Sequence, residues 1–116
     1  MLTYAVIVFA VAALGGLVLA SYVLQGRLAP WALSLLHAGL GAIGLLLVIY
    51  AAITTTGISH AAMIALVILV VAALGGFYLA SIHLRNQVAP RSVVFIHAGV
   101  AVIGFLTLLG VVVRVL

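Results

Sequence analysis

The sequence predicts an all-α fold: an integral membrane four-helix bundle made of two tandem two-helix repeats with parallel orientation. Three observations lead there. Of the 116 residues, 70% are hydrophobic and only 3% are charged. Three short polar breaks divide the chain into four apolar runs. The first half then recurs sixty residues later. A soluble domain carries about 25% charged residues, so a water-exposed globule is excluded. Four spans of about 20 residues take roughly 80 residues, which leaves enough for loops and ends in one membrane domain, 1–116.

The first span is read as about Leu2 to Leu24. Met1-Leu2-Thr3-Tyr4 lacks the basic region of a signal peptide, so this run is expected to be retained. Gln25-Gly26-Arg27-Leu28-Ala29-Pro30 is the first break. Pro30 suits the start of a helix, where a missing N–H costs nothing. The second span is about Trp31 to Ile53. Thr54-Thr55-Thr56-Gly57-Ile58-Ser59 is the second break, with Ser59 as N-cap. The third span is about His60 to Leu84. Arg85-Asn86-Gln87-Val88-Ala89-Pro90 follows, and the fourth span is about Ser92 to Val115. Spans of about 22 to 25 residues rise about 33–37 Å, enough to cross the hydrocarbon with some tilt.

Ala12-Ala13-Leu14-Gly15-Gly16 recurs as Ala72-Ala73-Leu74-Gly75-Gly76. Without gaps, residues 11–46 match 71–106 at 18 of 36 positions. The repeats are about 1–58 and 59–116. Each holds two spans, so both have the same orientation. A pseudo-two-fold axis along the membrane normal is expected, with spans two and four facing each other.

Net charge is +4, from Arg27, Arg85, Arg91 and Arg114, with no Asp or Glu. No carboxylate can serve as general base, proton carrier or hard-cation ligand. Small multidrug-resistance transporters share the length and span count but depend on a membrane carboxylate. Cysteine is absent, which excludes disulfides, iron–sulfur clusters and thiolate sites. Four scattered arginines make no nucleic-acid footprint. Three of them lie on one side, so the positive-inside rule puts the two arginine-bearing loops in the cytoplasm and both termini outside.

His37 and His97 are repeat equivalents, each seven residues after its proline and about 10 Å along its helix. An ionisable group at that depth is by default a functional candidate. Positions i, i+4 and i+7 share a helix face. From His37 that face reads Gly41, Gly44; from His97 it reads Ala101, Gly104. Two such strips facing one another leave a flat slot. A planar macrocycle held by two axial imidazoles would fill it.

In these paired histidines and small residues the chain resembles the membrane b-type cytochromes. In those bundles, histidines on facing helices ligate haem iron and glycines let the porphyrin approach. The resemblance implies one haem b between His37 and His97, near Gly41, Gly44, Ala101 and Gly104, and an electron carrier more than a catalyst. Dihaem members use four buried ligands, whereas this chain has one obvious pair. The chain also looks like small four-span bacterial membrane proteins, which suggests a bacterial inner membrane.

Arg27, Arg85 and Arg91 lie at the membrane edge nearest the pair, where arginine could hold haem propionates; ordinary topology and lipid contact explain them equally. Interhelical hydrogen bonding is the plain alternative for His37 and His97. A structural zinc site wants four ligands, and no Cys, Asp or Glu is available to join the pair, while copper held by histidines alone stays open. His83 faces inward with Ala72, Gly76 and Ala80. It could reach a propionate, ligate a second cofactor, or cap its helix; capping or interface packing is the expectation. His60 is read as solvated at the outer interface.

Ala12, Gly16, Ala20 and Ala72, Gly76, Ala80 are small-residue stripes that draw helices together; they could widen the haem pocket or form a homo-oligomer face. Tyr4, Trp31 and Tyr50 suit the aromatic belt. Ser34, one turn before His37, could orient its ring. Two other functions remain open: a small anion channel or transporter, and a cofactor-free structural subunit of a membrane complex. The haem reading calls for a quinone or a redox partner protein, because one haem near one leaflet does not carry electrons across the bilayer.

Overall fold

A computed structural model describes residues 1–116 as four helices: α1 (Leu2–Leu24), α2 (Trp31–Thr54), α3 (His60–Leu84) and α4 (Arg91–Val112). All four are long and apolar enough to cross a membrane. They fit an integral membrane protein. The bundle measures 45 × 21 × 19 Å.

The helix starts follow the sequence. Pro30 and Pro90 are N-caps in extended conformation. Pro30 accepts from Leu33 and Ser34 N–H at 3.1 and 3.3 Å, and Pro90 does the same for Val93 and Val94 at 3.2 and 3.3 Å. Ser59 caps α3, its Oγ accepting from Ala62 N–H at 3.1 Å.

Three of the four ends close by one motif. At the end of α1, Gly26 adopts φ 68°, and Arg27 N–H reaches back to Tyr22 O while Gly26 N–H bonds Val23 O. This is the Schellman arrangement. Asn86 (φ 55°) closes α3 in the same way. Arg114 (φ 64°) closes α4 at Val112, short of the Val115 expected from hydropathy. There the N–H groups of Val115 and Leu116 both bond Gly110 O. A Cβ on Gly110 would stand 2.6 Å from Leu116 Cδ1, so the glycine makes room for the returning end.

α1 packs broadly on α2 and α3 on α4; the α1–α4 and α2–α3 seams are narrower, and the helices form a ring. The core is small: Ala5, Val48, Ala65, Leu69 and Leu108. Val48 and Leu108 are its largest fully buried side chains. Large apolar residues cover the outside, among them Leu17, Ile53 and Phe77. In water that would be a severe penalty, whereas in lipid it carries none.

Candidate functional site

His37 and His97 project from α2 and α4, helices whose backbones do not touch, and their rings meet across the bundle. The ring centres are 6.3 Å apart and the planes nearly perpendicular, at 86°. Each ring is hung from the neighbouring helix of its own hairpin. His37 Nδ1 donates to Ala12 O at 2.8 Å, and His97 Nδ1 donates to Ala72 O at 2.9 Å. A carbonyl only accepts, so the proton sits on Nδ1 in both rings. In a neutral ring this leaves Nε2 with its lone pair. A ligating histidine usually donates its other nitrogen in this way.

The glycine pairs are the seats of these rings. A Cβ on Gly16 would stand 2.9 Å from His37 Cε1, and one on Gly76 would stand 3.2 Å from His97 Cε1. A Cβ on Gly15 or Gly75 would meet the same two residues at ordinary distance. The stripes thus draw the helices together, as the sequence suggests, and more specifically they receive an imidazole in each hairpin.

The strips after the histidines are only partly open. A Cβ on Gly41 would meet nothing within 4 Å, and Ala101 is half-buried. Gly44, by contrast, is covered by the Phe9 ring at 2.8 Å from a built Cβ, and Gly104 by Leu69 at 2.9 Å and Ile68 at 3.1 Å. Apolar side chains from α1 and α3 therefore occupy the lower part of the expected slot. Each ring keeps Nε2 as the nitrogen it would offer a shared metal. Beside Gly41 a Cβ would stand in open space, while Phe9 and Leu69 fill the level of Gly44 and Gly104, so a macrocycle there would require both to turn aside. No third histidine joins the pair.

His83 is an interface residue. Its Nδ1 lies 2.7 Å from Ser34 Oγ, and its ring stacks on Trp31 with centres 4.1 Å apart. Ser34 therefore engages His83 rather than orienting His37. Val23 and Val94 stand at the matching positions of the opposite seam. That seam is fastened instead by Arg91, which donates to Leu24 O at 2.8 Å.

The arginines are exposed and their partners lie at helix ends, none of them at His37 or His97. Arg27 donates to Gln25 Oε1 at 3.1 Å and sits 4.9 Å over the Tyr22 ring. Arg85 Nε donates to Ser81 O at 3.3 Å. His60 is exposed at the other end, on the rim of a surface hollow of about 450 Å³ with Met63, Ile64, Val67 and Ile68.

The carbonyl anchors and the glycine seats are what residue-by-residue reading missed. A signal for them exists: Ala12 and His37 stand twenty-five residues apart, as do Ala72 and His97, inside the repeat. The chain matches no family model, and no curated protein or solved structure matches it significantly.

Proposed function

We propose that this chain is a membrane b-type cytochrome that binds one haem b between His37 and His97. The observation that carries the reading is the pair itself: two imidazoles face each other across the bundle, each with Nδ1 spent on a backbone carbonyl. The ring centres stand 6.3 Å apart, and Nε2 is the nitrogen each ring would offer a metal between them. A haem held by these residues would supply one-electron redox chemistry.

The residues of the chain then have defined tasks. His37 and His97 hold the iron, and Ala12 and Ala72 fix their ring orientation. Gly16 and Gly76 let the rings lie against α1 and α3. Gly41 and Ala101 give the disc room, while Val48 and Leu108 keep water from the outer half. In this reading the two hairpins are tandem repeats of parallel orientation in a bacterial inner membrane, with the arginine-bearing loops cytoplasmic. A quinone or a redox protein would exchange the electron.

Specific contacts favour a second reading, a cofactor-free bundle in which the histidines pin helices together. Phe9 covers Gly44, Leu69 covers Gly104, and ring centres at 6.3 Å are within the range of an edge-to-face pair. Absorption spectra separate the two. The full chain is expressed in cells making ample haem and purified in mild detergent. Haem binding gives a red protein with a low-spin spectrum that sharpens on reduction and is lost in His37→Ala and in His97→Ala. Colourless wild-type protein, or a spectrum that survives both variants, overturns the cytochrome reading.

A further inference from the structure

The two loops at the arginine-bearing end are variations on one corner. The first reads Gln25-Gly26-Arg27 and its counterpart sixty residues on reads Arg85-Asn86-Gln87. In each, one guanidinium and one glutamine carboxamide flank a left-handed residue in reversed order, Gly26 in the first and Asn86, which adds a second carboxamide, in the other. In both, the side chain before the left-handed residue ties down the helix end: Gln25 Nε2 donates to Ser21 O at 3.0 Å and Arg85 Nε to Ser81 O at 3.3 Å. The partners of Arg27 and Arg85 are all neutral, an amide oxygen, a peptide carbonyl and a phenol ring. A guanidinium has five N–H donors, and each of these arginines spends one. The chain has no Asp or Glu to answer the charge. The flanks are apolar: Leu24 and Leu28 are exposed beside the first corner, Leu84 and Val88 beside the second.

We propose that these corners are two headgroup sites for anionic phospholipid. Arg27 and Arg85 each hold a phosphodiester, and the neighbouring leucine and valine side chains lie along the acyl chains. A basic group beside an apolar flank at the end of a membrane-length helix matches a phospholipid on both counts. Free phosphate matches only the first. Arginine's planar fork suits phosphate oxygens. Arg91 is not part of these sites, because it holds Leu24 O across the α1–α4 seam.

The test uses the full chain in nanodiscs of equal phosphatidylcholine and phosphatidylglycerol, with retained lipids counted by native mass spectrometry. Wild-type protein should keep phosphatidylglycerol preferentially; equal retention of the two lipids overturns the proposal without any variant. Arg27→Gln and Arg85→Gln should each weaken its own site about five-fold, as expected for one basic group at an anionic surface, so that either variant loses up to half of the preferentially retained phosphatidylglycerol and the double variant nearly all of it. Arg114→Gln removes the same charge at the opposite end and should lower that retention far less. An equal loss in Arg114→Gln would mean general charge attraction and would sink the assignment. So would displacement of the bound lipid by millimolar inorganic phosphate. None of these outcomes depends on whether the chain binds haem.

Discussion

Gly16 and Gly76 do the same task with different clearances, and that difference can be measured. A methyl at Gly16 would press on His37 Cε1 at 2.9 Å, whereas one at Gly76 would meet His97 Cε1 at 3.2 Å. Because Ala12 O holds the His37 ring, the ring cannot simply swing away. Gly16→Ala should therefore destabilise the bundle by about 1–3 kcal/mol, the usual cost of overpacking, and Gly76→Ala by less. Gly39→Ala is the control: nothing lies within 4 Å of its Cβ position, and alanine favours helix over glycine by up to about 1 kcal/mol. Its thermal midpoint in detergent should equal or exceed that of wild type. If Gly16→Ala melts with Gly39→Ala, the glycine is not a seat for the ring. Ser34 and His83 form a pair suited to a double-mutant cycle. Ser34→Ala and His83→Phe should show a coupling of about 0.6 kcal/mol and at most about 1.7, the average and the upper limit for interhelical hydrogen bonds in membranes. A coupling near zero would mean the 2.7 Å contact contributes nothing to holding α2 and α3.

At the level of helices, the starts and three of the four boundaries were legible because proline, serine and glycine act through local backbone geometry. Pro30, Pro90 and Ser59 begin their helices where expected, and Gly26 takes the left-handed turn that glycine tolerates. The end of α4 was not legible. Hydropathy continues through Val115, but the Schellman turn at Arg114 stops the helix at Val112, and nothing in an arginine announces positive φ. The histidine pair was legible from the repeat. What filled the strips below it was not, because the faces of Gly44 and Gly104 could be read from α2 and α4 alone. Phe9 and Leu69 belong to other helices, and their approach depends on packing. This gives an element-scale prediction. Phe9 is half-buried, so Phe9→Ala should uncover Gly44 at a cost below the about 3–5 kcal/mol of a fully buried Phe→Ala change. If haem occupies the slot, haem supplied in excess should recover part of the lost thermal midpoint. A midpoint indifferent to haem would favour the cofactor-free bundle.

For the molecule as a whole, the two hairpins meet along seams that are fastened by different chemistry. Ser34, His83 and Trp31 close the α2–α3 seam, and Arg91 closes the α1–α4 seam. Arg91→Gln should loosen only the latter. With no native cysteine, spin labels can be placed cleanly on each helix pair at the arginine-bearing end. Distances across α1–α4 should broaden in Arg91→Gln while those across α2–α3 keep their width. Broadening of both would show that the body yields as one unit.

That mismatch bears on anything flat that must reach the imidazoles from the side. Two matched halves would otherwise offer two equal approaches, and a guest with unlike edges would settle in either of two flipped poses. At the arginine-bearing end, stacked aromatic rings close one flank, while a single cationic arm spans the other. Admission from one flank only would leave such a guest with one handed pose, in a body whose sequence is half duplicated.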